Sequence, residues 1–225
     1  SYSDNKLDQK WTYWADDGRK TEEVTYDKGV KNGSFLLWNM DNYKTIEGEY
    51  RTGEKHGTWT LWYEDGTLKA QESYASGEKD GQWIWWHPNG VKDKEGSYKT
   101  GVYHGIWTLW NNADHKKSEK TFVNGILDGM ISMWYNNGNK EREGIIRGNE
   151  PEGSWVYYHA DGTEDFTFDY GSGLDRLRIA ELEERDGVFY KIGKHKPYTG
   201  IVVETGGIKD YLLLGRFQAG KRDGQ

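Results

Sequence analysis

Cysteine is absent from the 225 residues, which removes both a disulfide framework and any thiolate metal site. Proline occurs only three times. No run of eighteen apolar residues exists, so no segment reads as a membrane-spanning helix, and no leader-peptide pattern is visible. Basic runs are also missing. With 30 Lys and Arg against 37 Asp and Glu, the formal net charge is −7. That balance argues against a nucleic-acid partner and makes an anionic membrane surface a poor fit. Hydrophobic residues make up 34% of the chain, too few to fill a thick two-layer core. What is present is 12 Trp, 16 Tyr and 30 Gly, which is not a disordered composition. Large aromatic rings bury much area per residue, so a thin all-β structure with many tight turns is expected. This composition is compatible with a bacterial cell-envelope or secreted protein, and with the cytosol.

Glycine and aromatic residues recur with one period. Gly33, Gly57, Gly81, Gly105, Gly129 and Gly153 are each 24 residues apart. Gly29, Gly53, Gly77, Gly101 and Gly125 form a second column, with Asn149 in the next place. A third runs through Gly18, Gly66, Gly90, Gly138 and Gly162, interrupted by Asn42 and Asp114, the usual substitutes where φ is positive. Trp11, Phe35, Trp59, Trp83, Trp107, Ile131 and Trp155 keep the same spacing. So do Trp14, Trp38, Trp62, Trp86, Trp110, Trp134 and Tyr158. Only Trp85 lies outside these two columns. Tyr2, Tyr26, Tyr50, Tyr74, Tyr98, Phe122, Ile146 and Tyr170 make a further aromatic and apolar column. Repeats of this length are one supersecondary unit each.

The unit reads as a β-hairpin. Thr58 to Tyr63 is a strand-length aromatic and β-branched run, Glu64-Asp65-Gly66 a turn signal, and Leu68 to Tyr74 the return strand. The stretch from Ala75 to Gly81 is expected to turn the chain into the next unit. Period-2 alternation places Trp59 and Leu61 on one face and Thr60 and Trp62 on the other. Stacked side by side, such units give an elongated single-layer antiparallel meander, each contacting only its neighbours.

The pattern from Gly57 through Trp59, Trp62 and Gly66, then Gln71, Tyr74, Gly77 and Gly81, resembles the bacterial variant of the MORN repeat. The motif's Glu stands as Glu23, Glu47, Glu95, Glu119 and Glu143, while Gln71 and Thr167 depart from it. The resemblance covers residues 2–170, read as seven repeats. Residues 171–225 are expected to hold a degenerate unit and a further hairpin continuing the array. Their signals are Asp186-Gly187-Val188-Phe189-Tyr190-Lys191, Pro197-Tyr198-Thr199-Gly200, Phe217 and Gly220. The segment Leu174–Glu184 is read as strand in preference to a short helix. The chain starts at the Tyr column and stops at Gly224-Gln225, where another Gly-x-Trp would begin. A longer array is therefore expected, and an intact mass of 26.1 kDa for the native protein would contradict that. The resemblance implies a single-layer meander with protein-interaction roles; some bacterial relatives carry the name antitoxin component, and some eukaryotic ones contact phospholipids.

No catalytic constellation is expected. There is no Gly-x-Ser-x-Gly elbow and no phosphate loop opening a helix, and a flat ribbon does not supply a convergent pocket. His56 and His104 share one column, placed in the inter-unit turn, and His87 and His159 share another. Neighbouring equivalent positions lie roughly 10 Å apart, too far for joint metal ligation. No cofactor or metal is expected. The Glu column reads as repeated structural acceptors. Lys20, Lys44, Lys92, Lys116 and Lys140, three residues earlier, are expected on the opposite face. Partner binding is expected at Trp38, Trp62, Trp86, Trp110, Trp134 and Tyr158, a row for a protein partner's apolar surface, for self-association or for a glycan. An accessory role beside an enzyme domain is the remaining alternative.

Overall fold

The computed structural model describes residues 2–3, 6–170, 176–178, 182–185, 188–192, 200–206, 210–218 and 221–222. All regular structure among them is strand. The first strands are β1 (Tyr2–Ser3), β2 (Lys6–Leu7), β3 (Gln9–Trp14), β4 (Lys20–Asp27), β5 (Val30–Trp38) and β6 (Lys44–Arg51). Next come β7 (Glu54–Trp62), β8 (Leu68–Ala75), β9 (Glu78–Trp86), β10 (Lys92–Lys99) and β11 (Val102–Trp110). Then follow β12 (Lys116–Val123), β13 (Ile126–Trp134), β14 (Lys140–Arg147), β15 (Glu150–Tyr158) and β16 (Glu164–Asp169). Strands β3 to β16 make one 14-stranded sheet in sequence order. It is an open antiparallel meander, as the hairpin repeat requires.

By contacts the chain divides into two compact units, one of residues 1–151 and 155–167, the other of 152–154 and 168–225. In the second, β17 (Arg176–Arg178) runs parallel to β20 (Gly200–Gly206). Strand β20 in turn pairs antiparallel with β21 (Asp210–Gln218), and β21 with β22 (Lys221–Arg222). Separately, β18 (Leu182–Arg185) and β19 (Val188–Lys191) form a hairpin. Residues 176–178 and 182–184 of the expected strand segment are thus strand. Asp186, Gly187, the stretch 197–199, Gly220 and Gly224 lie outside the described residues.

The two turn types are the reverse of the expected ones. The link between units is a two-residue hairpin with φ positive at both places, as in Thr52-Gly53 (50° and 88°) and Thr100-Gly101 (46° and 79°). This is the primed geometry whose twist suits a tight hairpin. Residues 78–81, expected to be loop, are therefore already strand β9, and His56 and His104 sit in strands, not turns. The turn at Glu64-Asp65-Gly66 is instead a longer loop, closed by Tyr63 N–H to Thr67 O (2.8 Å) and Gly66 N–H to Tyr63 O (3.0 Å). Asp65 Oδ1 accepts from Thr67 N–H at 2.9 Å, an Asx-type turn.

The first Trp column forms the core. Phe35, Trp59, Trp83, Trp107, Ile131 and Trp155 are all buried, Trp59 and Trp83 at 2% exposure. With no second layer, the rings bury one another. Tyr50 stands edge-on to Trp59 at 5.0 Å between centroids, and Tyr98 edge-on to Trp107 at 5.1 Å. Tyr74 joins Trp59 to Trp83 at 6.4 and 5.2 Å, and Trp85 bridges Trp83 and Trp107 at 5.1 and 6.1 Å. The indole N–H groups of Trp59, Trp83, Trp107 and Trp155 also donate to a backbone carbonyl ten residues back, as Trp83 to Ser73 O at 2.8 Å, so these four are not left unsatisfied by burial.

Candidate functional site

The face carrying Trp14, Trp38, Trp62, Trp86, Trp110, Trp134 and Tyr158 is built differently. Trp14 is 60% exposed, and the other six are half-buried. Lys44 Nζ lies over the Trp62 ring at 5.4 Å, Lys92 over Trp110 at 5.5 Å and Lys116 over Trp134 at 5.4 Å, while Lys20 covers both Trp14 and Trp38. The same ammonium groups, and that of Lys140, donate to the Glu column: Lys20–Glu23 3.0 Å, Lys92–Glu95 2.6 Å, and Lys44–Glu47, Lys116–Glu119 and Lys140–Glu143 each 2.7 Å.

This corrects the expectation that Lys and Glu stand on opposite faces. On a regular strand, residues three apart do so. Here a bulge intervenes in each of the first six hairpins. Trp110 pairs with Lys116 but Leu109 with Ser118, leaving Lys117 without a partner, and Trp38–Lys44 beside Leu37–Ile46 leaves Thr45 likewise. The extra residue turns Lys and Glu to one side. A row of Trp–Lys–Glu triads results, each a cation held over a ring and neutralised by a carboxylate.

The exceptions are compensated within single units. Where Leu68 replaces Lys, Gln71 replaces Glu, so neither partner is left charged alone. In the last unit the signs move again: Glu164 takes the Lys place and accepts from Thr167 Oγ1 at 3.1 Å. Trp86, which follows Leu68, has no Lys over it among the described residues. Burial pushes the Glu23 carboxyl up, but hydrogen bonds from Lys10 and Lys20 outweigh this and hold it below the ordinary range. Glu143 is held low chiefly by Lys140, with Tyr158 and Ser132 also donating. Its bond raises the Tyr158 phenol in return.

A second set of positions has a period of 48 residues, twice the unit. Gly48, Gly96 and Gly144 lie under the next indole, where an added Cβ would come within 2.3 Å of Trp59, 2.1 Å of Trp107 and 2.3 Å of Trp155. The alternating places carry Glu72 and Lys120, which stand opposite the buried rings of Trp59 and Trp107 in register. The doubled spacing is visible in the sequence once every column is read at two periods. His56 and His104 also alternate, with Asn32 and Asp80. Asn32 and Asp80 accept the N–H of Thr52 and Thr100 (3.2 and 3.0 Å), whereas the Nδ1 atoms of His56 and His104 are buried without a partner. Among the described residues no group of three or more His, Cys, Asp or Glu could hold a metal ion.

Residues 55–76 and 79–100 match the family model of the MORN repeat variant. These two stretches are successive hairpins in the middle of the sheet. No curated protein matches the chain.

Proposed function

We propose that this chain is a non-enzymatic repeat scaffold that binds a protein partner along an extended face of its sheet. Two findings frame the reading: the repeats matched are hairpin modules of the MORN variant, and they join one continuous sheet. The observation that carries it is the row of aromatic rings from Trp14 to Trp134 at a constant step, set in Trp–Lys–Glu triads except at Trp86. A partner lying across the strands meets the same aromatic and charged groups every ~10 Å, an arrangement suited to multivalent contact and not to turnover of one substrate. Within the row, Trp38, Trp62, Trp86, Trp110, Trp134 and Tyr158 are the contact residues. Among the described residues no lysine lies over Trp86.

The test is a crosslinked pull-down from the native host with mass spectrometry of the captured proteins. A specific partner retained by the unmodified protein and lost on Trp62→Ala with Trp86→Ala, circular dichroism unchanged, supports the reading. Recovery of the bait alone contradicts it. Glycan binding is a second reading, favoured by the groove of about 510 Å³ lined by Trp14, Arg19, Lys20, Trp38 and Asn42. Two separated rings with polar groups between them suit a sugar chain. Quenching of Trp fluorescence by cell-wall oligosaccharides, abolished by Trp14→Ala, is its signature.

A further inference from the structure

The opposite face, carrying the buried aromatic ladder, has a charge that the whole chain does not. In a protein of net charge −7, its side chains include Lys31, Lys55, Lys79, Lys94, Lys120 and Arg142. Among the described residues that the register places on this face, the carboxylates are Glu22 and Glu72. Lys55 lies over Trp59 and Tyr74 at 4.3 and 4.7 Å, and Lys79 over Trp83 and Tyr98 at 4.6 and 4.8 Å. Lys94 covers Trp85 at 4.3 Å. Lys31, covering Phe35 at 4.9 Å, has Glu22 at 3.9 Å. Lys55, Lys79, Lys94 and Lys120 have no carboxylate within ion-pair distance among the described residues. On the triad face, by contrast, the Lys column is paired throughout.

We propose that this lysine row is a docking track for an extended acidic segment of a partner protein. The claim rests on the scaffold reading and moves the acidic contact to the face opposite the triads. Charge complementarity names the partner's sign, and the geometry narrows it further. Lys31, Lys55 and Lys79 stand on β5, β7 and β9, every second strand of the sheet. They are therefore ~9.6 Å apart along the row. A polyproline-type chain repeats every three residues, ~9.3 Å, and so sets one carboxylate over each lysine. Farther along, the same place holds Tyr103, Leu127 and Pro151, so the acidic stretch is followed by apolar residues. A single-stranded nucleic acid fits less well. Bases need exposed rings on which to stack, and Trp59 and Trp83 are 2% exposed with a lysine already over each.

The experiment is fluorescence anisotropy of the full chain with a labelled peptide of four Glu-Pro-Pro triplets ending in two leucines. Its controls are the same peptide with Gln for Glu, and a twelve-nucleotide oligo-thymidine. The Glu peptide is expected to bind, the Gln peptide at least about tenfold more weakly. Lys55→Met with Lys79→Met, which keeps the apolar stems over the rings, is expected to weaken the Glu peptide by about tenfold or more. Lys92→Met with Lys116→Met, on the triad face, is expected to change it less than about twofold. Equal binding of the Glu and Gln peptides, tighter binding of the oligonucleotide, or indifference to the Lys55 and Lys79 changes overturns the proposal. The scaffold reading is scored separately, by whether the pull-down partner is lost on changing Trp62 and Trp86.

Discussion

The two faces of this sheet are made from nearly the same residue types and do opposite things with them. On one face the Trp rings are buried, packed mostly edge-on against Tyr, and flanked by lysines that mostly lack carboxylate partners. On the other they are half-exposed, and every cation over them is neutralised by a Glu three residues away. The difference teaches that a single-layer sheet can place its core on one side only. That side takes rings packed ring-on-ring. The remaining side is free to keep repeated, separable triads. Local register decides which residue goes where: the bulge in each hairpin joins Lys and Glu, and the glycine in alternate units admits the indole.

Trp83→Ala should break the buried side outright. Removing a ring that is 2% exposed is expected to cost about 3–5 kcal/mol, whereas Trp110→Ala on the triad face should cost about 1–2 kcal/mol; urea unfolding of the two variants reads the difference. Gly96→Ala is the next in size. Its Cβ would stand 2.1 Å from the Trp107 ring, and overpacking of this kind costs about 1–3 kcal/mol. The same change at Gly101, where nothing lies within 4 Å but φ is +79°, should cost about 1 kcal/mol through the backbone alone.

Acidification sharpens the contrast, because two carboxylates held low, Glu23 and Glu143, are on the triad face. Glu23 and Glu143 have folded-state values below the ordinary 4.5. Their contribution is therefore fully present above that value and is lost as pH falls through the lower folded-state one. Thermal melts are expected to be flat from neutral pH to about 5 and to decline below the ordinary carboxylate range, with the decline smaller in Glu143→Gln. A Lys92→Leu, Glu95→Gln double variant copies the Leu68, Gln71 unit. It should be more stable than Lys92→Leu alone by a few tenths of a kcal/mol, the scale of a partly exposed pair. Of similar size, and a gain over the unmodified chain, is Thr100→Asn. A β-branched residue at φ 46° is strained, and Asn there should gain about 0.5 kcal/mol.

Much of this was legible in the sequence because each column repeats. The strands, the sheet's sequential order, the partition of Trp59 and Trp62 to opposite faces and the positive φ at Asn42 and Asp114 all follow from spacing. The side on which Lys44 stands did not follow. The bulged residue beside it is Thr45 in one unit, Lys69, Asp93 or Lys117 in others, so no residue type marks the extra place. The two-residue turn at Ser76-Gly77 was obscured in the same way, since Lys28, Thr52 and Ser76 all occupy its first position at positive φ without being the usual residues for it. Gly48, Gly96 and Gly144 were hidden by the shorter period of the hairpin itself. The lysine row was masked by net charge, which sums over both faces.

Residue-resolved hydroxyl-radical footprinting, with tryptophan oxidation read by mass spectrometry, tests the two-faced account most directly. Trp59, Trp83 and Trp107 should resist oxidation in the native protein, while Trp14, Trp62, Trp86 and Trp110 are modified readily. Comparable oxidation of both columns would contradict it.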